Sequence, residues 1–201
     1  HSKHNDTKGA ELLAGAAESP QLSAAEKTEA ARWAGMMYMT GQPPDYEKAI
    51  QMTKLVLKAQ PDNTEALNNL ACMLVDSVKP ARPAEALQYS QRAYDLMRKS
   101  GATQPLIQDT QGWVLLNNGK IDDATLLLRQ VVDNNPFLDA YYHLAEAYLR
   151  KNQPLAAKQQ LTLASQLLEN MRKNKQSFDQ TLPAKIQSAT EQAQQMLKMQ
   201  A

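Results

Sequence analysis

The chain is predicted to be all-α, built from about four helix-turn-helix units. Three observations predict it. Ala, Leu, Gln, Lys and Glu dominate, all good helix formers, while Gly occurs only 7 times in 201 residues and mostly at punctuation points. No period-2 run of Val, Ile and Thr is long enough to argue for a sheet. Small residues recur at matching places: Gly35, Ala71, Gly112 and Ala145 in leading helices, Ala49, Ala86, Ala124 and Ala157 in the helices that follow.

Residues 1–19 are polar, then Ala-rich, and Gly9, Gly15 and Pro20 bracket ELLAGAAES. They read as an N-terminal tail or partial helix. Ser23 is placed to cap the next helix, with Glu26 completing a capping box. That helix carries AEKTEAARWAGMMYMT and stops at Gly41. Asp45 caps YEKAIQMTKLVLKAQ, which ends at Pro61. Asn63 or Thr64 caps EALNNLACMLVDS, and a Pro-rich loop leads to AEALQYSQRAYDLMRKS and Gly101.

The stretch from Pro105 to Pro136 holds two helices around a tight turn at Asn117-Asn118-Gly119-Lys120. FLDAYYHLAEAYLRKN follows, and Pro154 suits the first turn of the long helix after it. Residues 177–182 break the pattern before a last helix from Pro183 to Gln200. Its Ile186, Ala189, Ala193 and Leu197 share one face, as a capping helix requires.

From leading to following small residue the steps are 14, 15, 12 and 12 residues. Two antiparallel helices approach closely only where small residues sit at the crossing, so the recurrence predicts nested hairpins. Gly112 is expected to face the region of Ala124. Together with Tyr38, Leu67, Leu70, Leu74, Tyr141, Leu144, Tyr148, Leu161, Pro61 and Pro136, these positions resemble the tetratricopeptide repeat, a unit of about 34 residues. The resemblance covers roughly residues 23–170.

The resemblance implies an α-α superhelix, or solenoid, over 20–176, with repeats near 23–60, 61–100, 103–136 and 137–170 and a capping helix over 177–201. It also implies a concave groove lined by the leading helices. Its residues would be Arg32, Trp33, Met36 and Met39, then Asn68, Asn69, Cys72 and Asp76. Asp109, Thr110, Trp113 and Asn117 follow, then Tyr142, His143, Glu146 and Arg150. Aromatic anchors among amides and charges suit a peptide or partner helix. Packing inside the array is the other role open to the two tryptophans. Asn69 matches one position of the carboxylate clamp found in some such repeats. Leu106 and Thr110 stand where that clamp needs basic residues, so no clamp is expected.

A formal net charge of +1 offers no global excess of basic groups for nucleic acid. No apolar run approaches the roughly 18 residues of a membrane span. Cys72 is the sole cysteine, so no internal disulfide forms, which fits a reducing compartment and the bacterial periplasm alike. The opening His1-Ser2-Lys3-His4 reads as a trimmed or mature fragment, leaving cytoplasmic, periplasmic and membrane-anchored envelope locations open.

Asp139, His143 and Glu146 share a helix face, but a metal site needs further converging ligands. No phosphate loop, nucleophile elbow or zinc spacing is present, so no catalytic, cofactor or metal residues are assigned. His1 and His4 read as a frayed end, and Arg172, Lys173 and Lys175 as the solvated end of a helix. The expectation is a non-enzymatic module binding a protein or peptide. Two further readings stay open: a self-assembling scaffold of a bacterial envelope or secretion complex, and an accessory domain of a longer enzyme.

Overall fold

A computed structural model describes residues 2–200, and the side chains of residues 7–200. Those of His1 and His4 lie outside the described set. Every regular element among the described residues is helical. The chain forms two compact units, His1–Thr103 and Gln104–Ala201.

The first unit contains α1 (Ser2–Glu18), α2 (Ala24–Thr40), α3 (Tyr46–Ala59), α4 (Thr64–Cys72) and α5 (Pro83–Lys99). Each packs on the next in order. The second contains α6 (Pro105–Asn117), α7 (Ile121–Asn134), α8 (Leu138–Arg150), α9 (Pro154–Lys173) and α10 (Leu182–Gln200). Here too each helix packs on its successor, and α8 also touches α6 and α10. The repeat spacing treats residues 20–176 as one array; the division between units falls inside that stretch.

Helix α1 differs from the expected tail or partial helix. Its sequence lacks large apolar residues at helical spacing, and two glycines suggest a break. What anchors it is small: Ala10 and Ala17, seven residues apart, are both buried, and α1 lies against α2. An added Cβ on Gly9 would meet Met37 Cε at 2.9 Å. Close approach of backbones replaces bulk here, and binary patterning does not register it.

The helix starts follow local chemistry. Ser23 Oγ accepts from the Glu26 N–H at 3.3 Å, and the Glu26 carboxylate accepts from the Ser23 N–H at 2.8 Å. Asp45 and Asn63 accept from Lys48 and Ala66 N–H groups in the same way. Prolines open α5, α6 and α9, where their missing N–H costs nothing. Gly119 takes a φ of +77° in the turn between α6 and α7, a conformation that disfavours a side chain. After Cys72 the fourth helix widens into a π turn, Met73–Ser77, closed by the Val78 N–H on Met73 O at 3.2 Å.

Ala49, Ala71, Ala86, Ala124, Ala145 and Ala157 are all 0% exposed, so even a methyl group more at these points would displace a neighbour. Gly35 and Gly112 are buried as well. The neighbour of Gly112 is Leu128, one turn beyond Ala124: a Cβ there would lie 2.7 Å from Leu128 Cγ. Leu67, Leu70 and Leu74 fill the first unit, and Leu116, Leu128, Leu144 and Leu161 the second. Each such leucine contributes about 1.5–3 kcal/mol by leaving water. On the last helix Leu182, Ile186, Ala189 and Ala193 are buried, while Leu197 is half-buried.

Candidate functional site

The first unit holds an accessible cleft. Arg32, Trp33, Met36 and Met39 lie on one face of α2, spaced by three or four residues. Gly35, between them, brings α3 close; a Cβ on it would stand 3.4 Å from Met52 Cβ. Thr53 and Val56 of α3 then form one wall, and Asn63, Glu65, Ala66 and Asn69 the other. The cleft encloses about 250 Å³. Trp33 is 44% exposed and Met36 43%, a large share of open apolar surface for neighbouring side chains.

The charges around this cleft are unequally engaged. Arg32 donates to both oxygens of Glu29, at 3.3 and 2.8 Å, and lies 4.8 Å above the Trp33 ring. These hydrogen bonds hold the Glu29 carboxyl below the usual range. Asn63 is spent on its helix cap and on Gln60. Asn69 is half-buried at the cleft. Asn68 turns aside: its amide nitrogen lies 3.9 Å from Cys72 Sγ, and its buried oxygen has no protein hydrogen-bond partner. Asp76 is exposed within the π turn.

The second unit brings its expected residues together in another manner. Trp113 is only 9% exposed and stacks on His143, centroids 4.2 Å apart at 15°. Tyr142 is buried too and tilts against both rings. His143 Nδ1 lies 2.9 Å from Asp109 Oδ2, joining α8 to α6 across 34 residues. Asp109 is buried, and its other oxygen lacks a protein partner.

Arg150 repeats the 34-residue step, donating to the Leu116 carbonyl at 2.7 Å near the end of α6. It also reaches Asn117 Oδ1 at 3.4 Å, and Asn117 itself donates to the Trp113 carbonyl at 2.9 Å. Thr110 is buried, and Leu106 is exposed.

Burial pushes the Asp139 and Glu146 carboxyls above their ordinary values. Nearby His143 opposes the shift at Asp139, and Arg150, with His143 behind it, opposes the shift at Glu146. Among the described residues no three His, Cys, Asp or Glu side chains converge as metal ligands would. No described helix is long and apolar enough to cross a membrane.

Sequence reasoning omitted the α3 wall and Glu65. A signal existed for the wall: Thr53 and Val56 follow Ala49 by four and seven residues, so they share the face of α3 that meets α2.

Helical hairpins nested at small residues, with α6 and α8 linked twice across 34 residues, are the geometry of the tetratricopeptide-repeat fold. No protein-family model matches the chain. It is 33% identical over 93 residues to a TPR repeat-containing protein of Pseudomonas aeruginosa, a match over 46% of this chain and 15% of that one. It thus spans well under two thirds of that relative. Among solved structures it resembles a thermophilic TPR protein of Thermus thermophilus, with a TM-score of 0.59 and 18% identity over 93% of this chain and 98% of that one. It also resembles PilW, a widely conserved type IV pilus biogenesis factor, with a TM-score of 0.56 and 18% identity over 98% of this chain and 90% of that one. The chain has the tetratricopeptide-repeat fold.

Proposed function

We propose that the chain is a non-enzymatic binding module and that the cleft of the first unit holds a segment of a partner protein. The observation that carries this is the contrast between its two tryptophans. Trp113 is buried against His143, whereas Trp33 stands half-open beside Met36 over a walled cleft. Aromatic and Met side chains of this kind supply large, adaptable contact area. In the second unit Asp109, Trp113, Asn117, Tyr142, His143 and Arg150 serve to fasten α6 to α8, and the partner engages Arg32, Trp33, Met36, Met39 and Asn69.

The test is selection of a random 12-residue phage-displayed peptide library on the immobilised protein, followed by binding of the enriched peptides to Trp33→Ala and Met36→Asp. Circular dichroism establishes that both variants fold. Each substitution is expected to weaken binding by about 1–2 kcal/mol, or roughly five- to thirty-fold. Peptides that bind both variants as they bind the wild type would refute the proposal.

A second reading rests on a different observation. Leu126, Leu155 and Leu163 of α7 and α9 are exposed outside the cleft, as a self-assembling scaffold would require. Light scattering across concentration separates the two; a monomer at all concentrations rules out the scaffold.

A further inference from the structure

We infer that the partner segment presents a bulky apolar side chain with a lysine or arginine within about one helical turn of it. The inference rests on the cleft reading above and adds the chemistry of the occupant. The α2 face dictates the apolar part: Trp33, Met36 and Met39 offer apolar surface, and polar groups buried against them would lose water without replacement.

The rim dictates the charge. Two charged residues line the cleft, Arg32 and Glu65. Arg32 is already neutralised by its two hydrogen bonds to Glu29 and covers the Trp33 ring. Glu65 is exposed and within electrostatic reach of Arg32, whose two hydrogen bonds nevertheless go to Glu29. Glu29 and Glu65 against a single Arg32 leave the rim with an excess negative charge. An incoming cation gains from it, and an incoming carboxylate is repelled.

An acidic or uncharged segment, or a second copy of this chain, is the alternative occupant. The library selection is repeated on Glu65→Lys, and fluorescence anisotropy measures one enriched apolar peptide in three versions, with Lys, Gln or Glu flanking its anchor. The wild type is expected to enrich Lys and Arg near the anchor and to bind the Lys version about two- to five-fold more tightly than the Gln version, the range of an exposed charge pair. Glu65→Lys is expected to reverse the order, and added salt to compress it.

An order unchanged by Glu65→Lys, or no charge preference at all, overturns the inference while leaving the cleft in place, provided Met36→Asp still weakens binding. Binding that ignores Met36→Asp overturns the cleft and the inference together. Self-association that blocks the peptides, and is lost in Met36→Asp, assigns the cleft to a second copy and also overturns the inference.

Discussion

Gly112 gives the sharpest test of how the hairpins pack. An added Cβ would sit 2.7 Å from Leu128 Cγ and 2.8 Å from Cδ2, well inside contact distance. Leu128 is 0% exposed and has no solvent to retreat into. Gly112→Leu places three further carbons in the same space. Overpacking of this kind costs about 1–3 kcal/mol, occasionally more. Against it stands the gain from replacing a helical glycine, about 0.8 kcal/mol. With several carbons forced into a filled space the clash falls toward the upper end of that range, and a net loss of about 1–2 kcal/mol is expected.

For the second unit, about 100 residues long, that lowers the melting temperature by roughly 4–16 °C. The assay is thermal unfolding followed by circular dichroism, on Gly112→Leu, Leu128→Ala and the double variant. Leu128→Ala alone costs about 2–5 kcal/mol through its cavity. In the double variant the new side chain occupies that cavity, so the two losses fall short of additivity by at least about 1 kcal/mol. An unchanged melt for Gly112→Leu, or strictly additive losses, would refute the contact.

Two further outcomes follow from the same physics. Gly15→Ala adds a methyl group that meets nothing within 4 Å, so only helix propensity changes, and the first unit gains about 0.5–1 kcal/mol in thermal unfolding. No gain there would mean that α1 is not held as a helix in solution. The second outcome concerns pH. Burial raises the Asp139 and Glu146 carboxyls, so the folded state holds these protons more tightly than the unfolded chain. Their contribution favours folding below the ordinary values of 3.8 and 4.5 and is lost as pH rises through the higher folded values. Asp139→Asn with Glu146→Gln is expected to stabilise the second unit most at neutral pH, with the advantage shrinking toward about pH 4. Melting curves of both proteins that run parallel across that range would contradict the assignment.

Helix starts were readable because a cap is a local event: Ser23 with Glu26, Asp45 and Asn63 each need only the next three residues. The crossing residues were readable because they recur. Helix α1 was not, since Ala10 and Ala17 acquire meaning only when α2 lies against them. The two tryptophans show the same limit within the site. Both flank a crossing glycine, Trp33 two residues before Gly35 and Trp113 one residue after Gly112, and that offset alone does not say which ring is covered. What separates them is the residue that lies opposite. His143, 30 residues further on, stacks on Trp113, while Trp33 faces open space beside Met36. The charge balance around Trp33 was partly hidden for a similar reason: Glu29 and Arg32 are three residues apart on one helix, but only the fold brings Glu65 to the same cleft.

The paired links Asp109–His143 and Leu116–Arg150 span the same 34 residues, from α6 to α8. Because both links join the same two helices at one fixed offset, sliding α8 along α6 by a single helical turn would part both at once.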